Sequence, residues 1–299
     1  MDNIPDYDIE EINLKEYNPE IRKIILSNLK NYTKLITFKC NKCDLTDLPE
    51  LPNTLIHFDC SNNKLTKLSN LPNSLIDLYC WKNNLIELPE LPVSLINLDC
   101  SHNKLIKLPN LPSLLNQLHC NNNNLTELPE LPNSLIDLEC AKNNLTEIQN
   151  LSKLKSLNHL FVPDNNLTKL PDLPDSLKEL ICYNNKLIEL PKLPNSLKNL
   201  FCYNNNLTEL PDLPDSLNFF EFRYNNNLDL FYPNLEINSI NEINKINLKN
   251  RIIKRMKLLN RTLLLEHSAR ITMNPKRIER LLDNLEIDFF DGSFDTLTT

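Results

Sequence analysis

The stretch LPNSLIDLYCWKNNLIELPE, residues 71–90, decides the fold, because it returns almost intact as LPVSLINLDCSHNKLIKLPN at residues 91–110. Aligned on the cysteine, the copies place Cys60, Cys80, Cys100, Cys120 and Cys140 at a constant interval of 20, with Cys40 opening the series. A step of 22 leads to Val162, and steps of 20 lead on to Cys182, Cys202 and Phe222. These ten copies share the consensus LxxLxCxxNxLxxLPxLPxS. A fixed period of about 20 to 50 residues marks a chain that stacks one structural unit on the next.

Within one copy, alternation sets the geometry. Leu78 and Cys80 stand two apart and share one face of a strand, while Asp77, Tyr79 and Trp81 share the other. Stacked copies pair these short strands in a parallel sheet, with Leu and Cys turned into the coil. An unreactive thiol packs there as a small hydrophobe. After each strand runs a column of Asn63, Asn83, Asn103, Asn123, Asn143, Asn165, Asn185 and Asn205, with Cys43 in its place in the first copy. A buried amide offers both donors and an acceptor to backbone that has left regular pairing. The two prolines of LPxLP fix φ and exclude a helix, so the back of each coil is expected to be extended or polyproline-like. The copy at residues 141–162 has lost both prolines and gained two residues; a helical turn is expected there, with no break in the solenoid.

SLIDLYCWKNNL resembles the LxxLxLxxN-x-L signature of leucine-rich repeats, and LPELP resembles the short LPX subclass of secreted bacterial effectors. The Asn-, Ile- and Lys-rich wording is similar to repeat proteins of giant DNA viruses. The resemblance covers residues 35–230. It implies an α/β solenoid: a leucine-rich-repeat horseshoe with a concave parallel sheet, an extended convex side and helical caps at both ends. It also implies a protein partner, in the effector case a host protein. Some such effectors carry a cysteine-based ubiquitin-ligase domain after the repeats. Here the last cysteine is Cys202, inside the solenoid, so that activity is not carried over.

Composition removes other classes. Gly292 is the single glycine, so there is no GxGxxG, no P-loop and no GxSxG. No cofactor is expected. The net charge of −7 does not suit a polyanion coat. The acidic start MDNIPDYDIEEINLKEY lacks the apolar core of a signal peptide, and no stretch nears the roughly 20 apolar residues of a membrane span. The expectation is a cytoplasmic protein, in its own cell or, on the effector resemblance, in a host's. Cys40 and Cys43 lack a second pair of zinc ligands at suitable spacing, and the cysteines are expected as buried unpaired thiols.

Function is sought where the repeats differ. Outward strand positions carry acids in the first half: Asp59, Asp77, Asp99, Asp137 and Glu139, with His57 beside them. Aromatic residues follow: Tyr79 and Trp81 early, then Phe161, Tyr183, Phe201, Tyr203 and Tyr224, with Ile181 among them, all expected on the concave face. The aromatics are expected to bind a partner protein and the acids to favour a basic one. Asp99, His119 and Glu139 fall in one outward column of three adjacent coils, which raises an enzyme or metal alternative.

The ends complete the organisation. Residues 1–34 form a tail and a capping helix, with Asn18 as N-cap, Pro19 first in the helix, and Ile21, Ile24, Ile25 and Leu29 on one face. Residues 231–299 are expected as a helical cap region. Its 249–261 stretch carries Lys249, Arg251, Lys254, Arg255, Lys257 and Arg261, which gives nucleic acid or an anionic membrane as an alternative target. A second helix is expected after Asn274 and Pro275, followed by an acidic tail.

Overall fold

The computed structural model describes residues 3–225 and Asn247. Three-residue strands recur once per coil: β1 (Glu11–Asn13), β2 (Thr37–Lys39), β3 (His57–Asp59), β4 (Asp77–Tyr79), β5 (Asn97–Asp99), β6 (Gln117–His119), β7 (Asp137–Glu139), β8 (His159–Phe161), β9 (Glu179–Ile181), β10 (Asn199–Phe201) and β11 (Phe219–Glu221). All eleven pair in parallel in chain order, forming one sheet along a solenoid. The register steps by one repeat, with Leu78 opposite Leu98 and Leu98 opposite Leu118. Backbone bonds beyond each strand lengthen the pairing; Cys80 N donates to Asp99 O at 2.8 Å and Ile96 N to Ile76 O at 2.9 Å.

The alternation expected of LIDLYC holds. Leu78 and Cys80 are fully buried, as are Leu75 and Leu85 of the same coil. These columns merge with their counterparts into one continuous core. The back half of each coil is extended and re-enters the strand through a turn in which Leu75 N donates to Pro72 O at 3.1 Å. The consensus serine closes that turn against the coil before it: Ser74 Oγ donates to Leu55 O at 2.6 Å, and Ser94 Oγ to Leu75 O at 2.7 Å.

Each column asparagine ties two coils together. Asn103 Nδ2 donates to Cys80 O and to Cys100 O, both at 3.0 Å, and its Oδ1 accepts from Leu85 N at 3.0 Å. Just before it, the chain takes a left-handed residue in every coil, including Asn62, Lys82, His102 and Asn122, at φ 53 to 55°. Asparagine tolerates this conformation better than most side chains, and the chain uses no glycine there.

The long copy keeps register. Leu138 of β7 lies opposite Leu160 of β8, a step of 22, and the two extra residues are taken up by a 3-10 turn at Leu151–Lys153. Asn165 still reaches Cys140 O at 2.9 Å, so the amide ladder passes through without a joint.

The sheet also runs into the segment expected as tail and capping helix. β1 pairs with β2, and Ile12 and Leu14 enter the core. Helix α1 (Pro19–Ser27) follows, and Asn18 Oδ1 accepts from Ile21 N at 3.0 Å. Ile25 and Leu29 join the core, whereas Ile24, expected on the same face, is 38% exposed. The expected C-terminal helices and acidic tail lie outside the described residues, apart from Asn247. Its amide brackets Leu213, between β10 and β11, accepting from Leu213 N at 2.7 Å and donating to Leu213 O at 2.8 Å.

All nine cysteines are unpaired, and all but Cys43 are buried. Burial pushes the thiols of Cys60, Cys80 and Cys202 well up and that of Cys182 to about 12, which suppresses the reactive thiolate. Native protein is expected to expose one thiol at most, Cys43, to an aromatic disulfide reagent, and all nine after denaturation. Two or more fast-reacting thiols in the native state would contradict the inward column.

Candidate functional site

Outward residues of the strands stand in columns, and the carboxylates and aromatics segregate along them. On β3 to β7 the acids hold partners, some in neighbouring coils and some in their own. Asp77 contacts His57 Nδ1 and accepts from Asn97 Nδ2 at 2.6 Å. Asp59 and Asp99 cap their own turns, accepting from Ser61 N and Ser101 N at 3.0 Å. Glu139 accepts from Asn121 Nδ2 at 2.7 Å, and Asn121 Oδ1 in turn accepts from Ala141 N at 2.7 Å. The acids are therefore positioned by the fold, and each keeps part of its surface exposed.

The Asp99, His119 and Glu139 column is not the group that forms. His119 Nε2 lies 3.5 Å from Asp137 Oδ2 and 3.9 Å from Glu139 Oε1, so the cluster is His119, Asp137 and Glu139. Asp137 and Glu139 are two apart on β7 and project to the same side, while Asp99 turns to the Ser101 backbone. The hydrogen bond to Asp137 raises the His119 pKa, with smaller contributions from the Glu139, Asp137 and Asp99 charges, against an opposing effect of burial. The stability it contributes is complete below the ordinary histidine value of about 6.5. It fades as pH rises through the raised value.

The aromatics gather beyond β8. Phe161, Ile181 and Phe201 occupy one outward column on adjacent strands. Tyr183 and Tyr203, just past β9 and β10, stack with ring centroids 4.5 Å apart and planes 6° apart. Burial first, then the charges of Tyr203 and Asp164, raise the Tyr183 pKa. Together with Glu221, Arg223 and Tyr224 these side chains line an open hollow of about 540 Å³. Arg223 Nε donates to Glu221 Oε1 at 2.6 Å, so the far rim carries a balanced ion pair. All five of Phe161, Ile181, Tyr183, Phe201 and Tyr203 are partly accessible.

Two placements differ from expectation. Tyr224 does not sit on the strand face. It occupies the left-handed turn position, at φ 58° and 72% exposed, and reaches the hollow from its edge. Phe219 on β11 was not singled out, yet it is outward and 63% exposed. Its signal was present: it stands two residues before Glu221, at the position His57 and Asp77 hold in earlier copies. Tyr79 is 38% exposed and Trp81 half-buried, both well away in sequence from the other aromatics and beside Asp77 and Asp99.

The solenoid and its parallel sheet match solved structures. YopM, a leucine-rich effector protein from Yersinia pestis, aligns at 39% identity and a TM-score of 0.63, over 68% of this chain and 60% of that one. The chain belongs to the leucine-rich repeat proteins. YopM from Yersinia enterocolitica WA-314 aligns at 37% identity and a TM-score of 0.55, over 64% of this chain and 47% of that one. The repeats thus span less than two thirds of either YopM chain. The functional domain of InlJ from Listeria monocytogenes, which includes a cysteine ladder, aligns at 26% identity and a TM-score of 0.50, over 66% of this chain and 50% of that one. No family model matches the chain, and no curated protein does. Among the described residues, no helix is long and apolar enough to cross a membrane.

Proposed function

We propose that this leucine-rich repeat protein is a non-catalytic module that holds a partner protein against the concave face of its sheet. Its effector-like structural neighbours fit an interaction module. The observation that carries the reading is the hollow around Tyr183, Phe201 and Tyr203. The fold keeps the repeated Leu and Cys columns of the strands inward, and nothing in the coil requires rings at these outward positions. Aromatic side chains give large contact area at small entropic cost, and exposed apolar patches of this kind mark interaction sites.

Charge narrows the partner. Outward positions of β3 to β11 carry Asp59, Asp77, Asp99, Asp137, Glu139, Glu179 and Glu221, and neither lysine nor arginine. A basic surface with an apolar anchor complements that face, whereas a nucleic acid meets repulsion there. Eight buried unpaired thiols suit a reducing compartment, which supports the cytoplasm as the place of action. The likeness to an effector protein supports a host protein as partner.

A photo-crosslinking side chain placed at Phe201 tests the reading. It is expected to trap the partner in lysate, while the same group at Val93, 78% exposed and outside the sheet, does not. Equal trapping from both positions, or trapping from Val93 alone, would remove the concave face from the proposal.

A further inference from the structure

We propose that His119, Asp137 and Glu139 form a binding site for one divalent transition-metal ion of the zinc type on the solvent-facing side of the sheet. The three donor atoms lie within 4.8 Å of one another. Ions of this type hold nitrogen and oxygen donors at about 2 Å, so tetrahedral ligands stand roughly 3.3 Å apart. His119 Nε2 to Asp137 Oδ2 is already 3.5 Å, and Nε2 to Glu139 Oε1 is 3.9 Å. Closing the triangle takes a contraction of roughly 1.5 Å at most, within side-chain rotation on a fixed backbone.

The fold makes this position unlike its neighbours. His57 and His159 also meet a carboxylate on the next strand, Asp77 and Glu179. Only β7 presents two acids outward, because β4 carries Tyr79 and β9 carries Ile181 at the second position. Among the described residues, His119 is the one ion-pair partner of Asp137 and Glu139, and no lysine or arginine occupies the outward positions of β5 to β7. Two carboxylates facing one imidazole, with no lysine or arginine among them, favour a divalent ion that takes the place of the imidazole proton. The support behind the ligands is built in. Asn121 donates to the second oxygen of Glu139 and is itself held by Ala141 N, which fixes the carboxylate's orientation. Three protein ligands leave a fourth position for water or for a group from a bound molecule.

The test is titration of the whole chain, stripped with chelator, with zinc ion in a calorimeter. One ion per chain is expected to bind. His119→Gln, Asp137→Asn and Glu139→Gln are each expected to weaken binding tenfold or more, and His159→Gln to leave it unchanged. Far-UV circular dichroism and unfolding midpoint without metal show that the variants keep the fold; the pairs removed are partly solvated and cost little. Cobalt as a probe separates this site from the thiols, since imidazole and carboxylate ligation gives no thiolate-to-metal charge-transfer band. Absence of saturable zinc uptake, undiminished uptake by His119→Gln, or a thiolate band would each overturn the proposal.

Discussion

Replacing Asn103 by aspartate is expected to cost about 4 kcal/mol of stability at neutral pH, more than replacing it by alanine. The side chain is buried. Its Nδ2 faces the carbonyls of Cys80, Cys100 and Ser101, at 3.0, 3.0 and 3.3 Å. A carboxylate keeps the bond from Leu85 N but turns a second oxygen, charged and without donors, onto three carbonyl oxygens. Alanine loses the Nδ2 bonds and the one from Leu85 N as well, yet introduces no charge, and about 2 to 3 kcal/mol is expected from the unpaired groups and the small cavity. The aspartate penalty is also pH-dependent, with a definite sign. Burial beside carbonyls raises the folded-state pKa above the unfolded value of about 3.9. Below that value the acid is protonated, its O–H donates to one carbonyl, and most of the deficit disappears. The deficit grows as pH rises from there through the raised pKa, and then levels off. Urea unfolding at pH 4 and pH 7 checks both the magnitude and the sign. An aspartate variant as stable as the parent at pH 7, or less damaging than alanine, would show that the amide column does not hold the coils together.

That column is also where the sequence was most legible. An amide every twentieth residue, following an apolar strand and preceding a leucine, has few structural uses, and the structure gives it the inter-coil bonds its chemistry suggested. The Leu and Cys columns were legible for the same reason: period-two alternation leaves one face to be buried, and repetition fixes which. Less legible were features that break the period. β1 lies before the first cysteine, in EIN, where three residues carry no repeat signature and the pairing with β2 depends on tertiary contact alone. Tyr224 stands 21 residues after Tyr203, one past the repeat step of 20 that leads to Arg223, and so takes the left-handed position that Asn184 and Asn204 hold in earlier coils. The column joins His119 to Asp99 and Glu139, whereas the nearest carboxylate is Asp137, diagonal on β7, with Glu139 directly opposite and Asp99 turned to the Ser101 backbone. A sequence column gives the neighbouring strand, and only rotamers decide which neighbour is touched.

Tyr183→Ala combined with Tyr203→Ala is expected to weaken partner binding by two to three orders of magnitude while leaving the solenoid intact. The two rings stack face to face at 4.5 Å and border the hollow that Phe201 centres. Aromatic anchors in such positions contribute about 2 kcal/mol or more each, and loss of both is not simply additive because each ring positions the other. Stability should move little. Both rings are partly exposed, and the backbone bonds nearby, Asp164 N to Tyr183 O and Asn184 N to Tyr203 O, do not involve the side chains. The mutual stacking costs the fold about 1 kcal/mol when removed. The comparison that isolates the claim is Asp99→Asn, which removes one charge from the acidic stretch. It is expected to slow association and reduce salt sensitivity, whereas the tyrosine pair is expected to speed dissociation. Association and dissociation rates measured with free, purified partner, once crosslinking has identified it, distinguish the two. Unchanged dissociation from the double tyrosine variant would move the anchor off this hollow, and a melted variant would mean the rings belong to the core and not to its surface.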